Sequence, residues 1–250
     1  MWEQVNQVIT DTREVEFIPL NREFLGAKAT GETFRIDTSS ESIFLKRVSH
    51  TKSCLLESEI EGLNAISKTK TLRTPLVIAK DISSGFAWLA LEFVDLKNPD
   101  LACYRSMGEN LAAMHQFKNQ NHGWHKNNWI GANEQRNGFL LKWVDFFMQF
   151  RLRPQLDLAL KKNLNSSAFD NGILLLEECP KLFSNYDPRP SLLHGDLWRG
   201  NVASDKFSCP IVFDPACYFG DLETDLAMTE LFGGFPKDFY FAYNSVTALD

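Results

Sequence analysis

Short runs in which apolar residues alternate with polar ones fill the first third of the chain and predict strands. EVEFIPL (residues 14–20), ETFRID (32–37) and SIFLKRV (42–48) are rich in β-branched and aromatic residues and are separated by Gly, Ser and Thr clusters. That is the pattern of a small antiparallel sheet. In LLESEIEGLNAISK, Leu55, Leu56, Ile60, Leu63 and Ile66 recur at helical spacing, with acids toward the start, where the helix dipole favours them. LRTPLVIAKDI and GFAWLALEFVDL then resume the strand pattern around a Ser83-Ser84-Gly85 turn. Beyond Asp95 the period changes, and Leu101, Tyr104, Leu111, Met114 and Phe117 fall on three- and four-residue steps. Further helices are expected over Phe139 to Leu152, Asp157 to Leu164 and Ile173 to Phe183, and from Lys237 onward, with Pro154 breaking the first from the second. Gln120 to Gly138, rich in Gly and Asn and without a clear period, reads as a long surface loop. The expected class is α+β, with residues 1–95 a sheet carrying one helix and residues 96–250 mostly helical.

Composition narrows the function classes. A hydrophobic share of 44% and a charged share of 23% are those of a packed protein. The formal charge of −6 gives no basic field for nucleic acid, and no apolar run reaches the ~20 residues of a membrane helix. The N-terminus lacks the basic start and apolar stretch of a secretory signal, so the cytoplasm is the expected location. Five scattered cysteines show neither zinc spacing nor a disulfide framework and are expected to be reduced and mostly buried.

The chemistry lies in LLHGDLWRGNV, where Asp196 follows His194-Gly195 and Asn201 comes five residues later. This spacing fits the catalytic-loop template H-x-D-x-x-x-x-N, in which the Asp meets an acceptor hydroxyl and the Asn holds Mg²⁺. IVFDPA sets Asp214 after an apolar run, 18 residues beyond Asp196, where a second Mg²⁺ ligand belongs. Phosphoryl transfer asks the protein for positioning and charge neutralisation, and a hard cation held by carboxylate and amide oxygens supplies part of both. His194 is expected to shape the loop.

On the nucleotide side, Lys46 on a predicted strand is the candidate cation for the phosphates. Glu57, Glu59 and Glu61 compete as its partner, and Glu59 is chosen. Glu92, Phe93 and Val94 in LALEFVDL suit a hinge whose backbone meets an adenine edge. No G-x-x-x-x-G-K-[ST] is present, which excludes the P-loop class, and FLGAKATGETF offers only Gly26 and Gly31 where a glycine-rich phosphate loop would stand.

These motifs, together with GENLAAMH, NNWIGANEQRN, WVDFFMQFRLRPQL and VFDPACYFGDLETDLAMTELFGGF, closely resemble the fructosamine kinase (ketosamine-3-kinase) family, a branch of the aminoglycoside-phosphotransferase-like kinases. The resemblance implies a bilobal protein-kinase-like fold with a nucleotide-binding N-lobe (1–95) and a catalytic, acceptor-binding C-lobe (96–250). It also implies ATP as donor and phosphorylation of the C3 hydroxyl of ketosamines, a deglycation activity. By carry-over Asp196 is the base, Asn201 and Asp214 bind Mg²⁺, Lys46 and Glu59 position the phosphates, and Trp198 lines the acceptor pocket. The family continues past the point where this chain stops, at Asp250, so bare apolar surface is expected there. A kinase of another small hydroxyl acceptor, or an ATP-binding protein without turnover, are the alternatives.

Asp221 and Glu223 carry two open readings, as carboxylates for the substrate's ammonium or as acids opening a helix. Asp225 and His115 are expected to be structural, as are Trp124, Trp129 and Trp143. The His122 and His125 pair lacks further zinc ligands nearby and is set aside.

Overall fold

The computed structural model describes residues 1–83, 85–162 and 166–248. The N-lobe is built on a five-stranded antiparallel sheet in the order β1-β2-β3-β5-β4: β1 (Asn21–Lys28), β2 (Gly31–Asp37), β3 (Ser42–Ser49), β4 (Val77–Ser83) and β5 (Phe86–Glu92). The lobe carries two helices rather than the one expected. Helix α1 (Trp2–Arg13) buries Val5 and Ile9 against Ile36, Ile43, Leu45 and Trp88 on one face of the sheet. Helix α2 (Ser53–Thr69) lays Leu56, Ile60 and Leu63 against Val48, Leu89 and Leu91 on the other. Strand β5, covered on both faces, is accordingly a continuous apolar run. EVEFIPL is not a strand: of its apolar residues only Phe17 is buried, while Val15, Ile18 and Leu20 stay exposed. The edge strand forms one step later, over the stretch read as a phosphate loop. Ser84, in the expected turn, lies outside the described residues.

The two lobes share a border rather than a single tether. After β5, residues 93–96 cross over, and Lys97 and Ser204 then exchange backbone bonds at 2.9 Å each. Arg73 accepts the Val212 N–H at 3.0 Å, and its guanidinium pairs with Glu92 at 2.5 Å and Asp205 at 2.6 Å. Ile66 and Leu72 from the N-lobe side join the C-lobe core.

In the C-lobe, α3 (Leu101–Met114) packs along α8 (Lys237–Val246) over a core of Met107, Leu111, Phe239 and Tyr243. The expected loop at 120–138 is instead a set of short strands: β6 (His122–Gly123), β7 (Asn128–Ile130) and β8 (Asn133–Gln135), followed by β9 (Phe139–Leu140). Strands of two or three residues are too brief to show a period, which is why the pattern missed them. The helix expected from Phe139 begins only at Trp143, as α4 (Trp143–Phe147), and Pro154 does not break it. A π-turn over Met148–Leu152 runs into α5 (Arg153–Lys161), placing Pro154 in a first turn, where a missing N–H costs little. Leu164, the expected end of that helix, lies outside the described residues, and α6 (Ser166–Leu182) starts earlier than expected. Strands β10 (Ser191–Leu193), β11 (Val202–Ser204), β12 (Pro210–Val212) and β13 (Tyr218–Gly220), with helix α7 (Glu223–Glu230), complete the lobe. No helix among the described residues is long and apolar enough to cross a membrane.

Candidate active site

The catalytic loop leaves the end of β10, and the segment bearing Asp214 leaves the end of the β11–β12 hairpin. Phe213 N–H bonds to Asn201 O at 3.2 Å, and Ala216 N–H to His194 O at 2.9 Å, so the two motifs are joined along their backbones. Gly195 adopts φ +81°, and a Cβ there would run into the Ala216 carbonyl. Only glycine suits both the left-handed backbone and that close approach.

Asn201 commits its amide group to Asp196: Nδ2 donates to the Asp196 carbonyl and to its Oδ2, each at 2.8 Å. That leaves Asn201 Oδ1 without a donor among the described residues. Burial pushes the Asp196 carboxyl up to about 6, against the pull of the Asn201 hydrogen bond. A carboxyl poised in this range can take up a proton near neutral pH.

Beneath the loop, fully buried Asp225 accepts the His194 N–H at 2.7 Å and the Gly195 N–H at 2.9 Å. His115, also fully buried, lies 3.2 Å from the same carboxylate and 2.8 Å from the Tyr243 hydroxyl. Burial alone would raise the Asp225 pKa, but the His115 hydrogen bond and the loop N–H groups hold it low. Both residues are braces: His115 was expected to be structural from its apolar helix, and Asp225 from its place at the start of a helix, although its bonds run to the catalytic loop.

From the N-lobe, Lys46 Nζ donates to Glu59 Oε1 at 2.7 Å and pairs with the Asp214 carboxylate across the cleft. Of the three acids on α2, Glu59 is the one that reaches Lys46, whereas Glu61 pairs with Lys126 at 2.5 Å. Burial opposes charge on this group. The two carboxylates nevertheless raise the Lys46 pKa, Asp214 is held below the usual carboxylate range by Lys46, and burial lifts Glu59 to about 7. Asp214 itself adopts φ +54°.

Glu92 directs its carboxylate to Arg73 and to the Leu76 N–H at 3.3 Å. Its own N–H bonds to Leu76 O at 2.8 Å, so the hinge groups without a protein partner among the described residues are those of Phe93 and Val94. The Phe93 ring lies under the Arg35 guanidinium at 4.5 Å. Trp198 sits at the mouth of the catalytic loop, edge-on to exposed Phe232 with centroids 5.3 Å apart.

Asp221 and Glu223 are not brought to this cluster. Ser191 pairs with Gly220, so Asp221 lies at the end of β10 opposite the one from which the catalytic loop leaves. Its Oδ1 accepts the Glu223 N–H at 3.1 Å and the Tyr186 hydroxyl at 3.0 Å, the geometry of a cap on α7. Burial pushes its carboxyl up to about 6. Exposed Glu223 and buried Asp221 border an open groove of about 680 Å³ walled by Trp143, Phe147 and Phe183.

One cation escaped the sequence reading. Cross-strand register pairs Lys46 with Thr33 and Lys28 with Gly31, which puts Lys28 on the same sheet face as Lys46. Lys28 forms no ion pair among the described residues, and its charge helps hold Asp214 low. Only the hairpin register could have revealed it.

The donor set on the C-lobe side, a carboxylate and a free amide oxygen, fits a hard divalent cation that keeps waters and phosphate oxygens as its other ligands. No cluster of three or more His, Cys, Asp or Glu side chains suited to a metal occurs among the described residues. Two lobes, a lysine–glutamate pair and an Asp/Asn/Asp triad define a kinase of the protein-kinase-like class. An ADP-bound aminoglycoside phosphotransferase shares this fold, with a TM-score of 0.65 at 14% identity over 98% of this chain and 80% of that one. The family model for fructosamine kinase matches residues 1–250, and the chain belongs to that family. It is 35% identical to a Synechocystis sp. protein assigned as a ketoamine kinase, over 98% of this chain and 83% of the relative. The solved structure of a Haemophilus somnus protein assigned as a fructosamine-3-kinase superposes with a TM-score of 0.92 at 28% identity, covering 100% of this chain and 84% of that one. The chain is therefore a phosphotransferase acting on a hydroxyl group.

Proposed function

We propose that this kinase transfers the γ-phosphoryl group of ATP to the C3 hydroxyl of a ketosamine, such as a fructosamine or ribulosamine adduct, and so initiates deglycation. The observation that carries the reading is the convergence of Lys46, Glu59 and Asp214 beside a catalytic loop whose Asn201 is bonded to Asp196. Asp196 takes the proton of the C3 hydroxyl as its oxygen bonds to the γ-phosphorus. The bond to the bridging oxygen breaks and ADP leaves. Asn201 and Asp214 would hold Mg²⁺, which when bound neutralises developing charge on the phosphates. Lys46, oriented by Glu59, aligns the phosphates, and the backbone of Phe93 and Val94, just past Glu92, meets the adenine edge at a lobe boundary near residue 95.

Trp198 borders the acceptor. For Asp221 and Glu223, a role toward the substrate's ammonium would require the acceptor to extend toward the groove behind α7, and the capping bonds favour the structural reading. The substrate is a small molecule or glycated amine, with no part for nucleic acid or a membrane, and a cytoplasmic setting fits. A coupled ADP-release assay over ketosamines, aminoglycosides and choline tests the assignment. Turnover stimulated by ketosamines is expected, and indifference to them alongside stimulation by another alcohol would sink it.

A further inference from the structure

The β7–β8 hairpin lies outside both catalytic motifs yet grips the segment between Asp214 and β13. Asn128 and Gln135 face one another across it as a register pair, and both are buried. Asn128 Nδ2 donates to Cys217 O at 2.7 Å, and Gln135 Nε2 donates to Ala216 O at 3.1 Å. Gln135 Nε2 also donates to Asn128 Oδ1 at 2.9 Å, and Asn137 Nδ2 reaches that oxygen at 2.9 Å. Two successive carbonyls just past Asp214 are thus held by side-chain amides.

The same segment also rests on α2. Gly62 has no Cβ to keep Pro215 away, and Cys217 Sγ lies 3.7 Å from Gly62 O. Glu59 stands one turn earlier on that helix, and Glu61 ties it to Lys126, two residues before β7. The hairpin and the helix therefore both hold the segment that follows Asp214. Such a clamp answers a need, because a non-glycine residue in the left-handed region costs on the order of 1 kcal/mol or more and persists only where its surroundings over-determine it. Apolar residues at 128 and 135 could fill the same volume but would leave both carbonyls unpaired.

We infer that Asn128 and Gln135 are positioning residues for phosphoryl transfer, fixing through the Ala216 and Cys217 carbonyls the backbone from which the Asp214 carboxylate projects. The inference rests on the proposed role of Asp214 as a Mg²⁺ ligand. Gln135→Met keeps length and volume and removes the donor. ADP binding followed by calorimetry across a Mg²⁺ series, at a temperature where circular dichroism shows both proteins folded, reads the effect without needing an acceptor. The Mg²⁺ concentration for half-maximal ADP binding should rise about tenfold, as when a ligand's outer support is lost. ADP affinity without Mg²⁺ and the KM for the acceptor should stay put while kcat falls. A lower melting temperature with an unchanged Mg²⁺ requirement and kcat overturns the inference. Should Gln135→Met fail to fold, Asn137→Ala removes the donor to Asn128 Oδ1, together with the side-chain bonds to Lys126 O, Gln135 O and the Arg151 guanidinium, and is expected to shift the Mg²⁺ midpoint about twofold in the same direction. No shift there overturns the inference equally. A wild-type protein that binds ADP with Mg²⁺ but phosphorylates no ketosamine refutes the substrate and leaves this role standing.

Discussion

Asp225 receives the backbone N–H of Gly195 at 2.9 Å from 30 residues away in sequence, which makes one buried carboxylate the floor of the catalytic loop. With the His194 N–H and His115 also on it, Asp225 satisfies three groups that have no access to water. Asp225→Ala should therefore cost about 3–5 kcal/mol, the loss expected when a buried ionic partner is removed. Urea unfolding measures it, and a loss below about 1 kcal/mol would mean that water replaces the carboxylate.

Asp196 couples activity and stability in opposite senses. In the metal-free protein, burial raises its carboxyl from an ordinary 3.8 to about 6. Between those values the folded chain holds a proton that the unfolded chain releases, so stability falls as pH rises through the window, and above 6 the penalty is complete. Asp196→Asn cannot ionise. It should melt higher than the wild type at pH 7 without Mg²⁺, with the difference shrinking toward pH 4, while kcat drops at least about a hundredfold through loss of the base. A variant that melts lower at pH 7, or retains turnover, contradicts the assigned environment or role.

How much of this was legible in the sequence follows from where each signal resides. The Asp196, Asn201 and Asp214 constellation could be read because the chemistry fixes residue type and spacing within short segments. The α2 helix could be read because five apolar residues mark one face. Helix α1 carries a period as well, since Trp2, Val5, Val8 and Ile9 fall on three- and four-residue steps and pack on the sheet, so it was legible although it was not among the expected elements. The short strands at 122–140 escaped because two or three residues cannot show a period, and so did their function: Asn128 and Gln135 act on carbonyls more than 80 residues away, and no local pattern encodes such a contact. Asp221 shows the converse failure. An acid near a metal motif in sequence lies at the far end of a strand in space, because three residues of β13 carry the chain away.

Lys28 supplies a test of how phosphates are held without a glycine-rich loop. It shares the Lys46 face of the sheet and has no carboxylate of its own among the described residues. Lys28→Met should raise the KM for ATP about five- to tenfold, the loss of one charge-assisted contact of roughly 1–1.5 kcal/mol at an exposed position. Binding of adenosine or AMP should be unaffected. Equal weakening of all three ligands would point instead to a distorted hairpin.

Arg73 bears on the motion of the lobes. Its guanidinium bridges Glu92, at the end of β5, and Asp205, in the C-lobe turn before β12, while its carbonyl holds Val212. Each ion pair is partly exposed and on its own would contribute no more than about 1 kcal/mol. Their joint effect is geometric, because together they fix the angle at which residues 93–96 leave the sheet. Arg73→Ala keeps the backbone bond to Val212 and removes both pairs. Amide hydrogen exchange should accelerate at Glu92 and Lys97, whose N–H groups bond to Leu76 O and Ser204 O on either side of the hinge, the KM for ATP should rise about two- to fivefold as the hinge groups lose their fixed aim, and global stability should change by less than about 1 kcal/mol. Unaltered exchange at the hinge with a large drop in global stability would show that Arg73 holds the core of the interface together instead of setting the angle between the lobes.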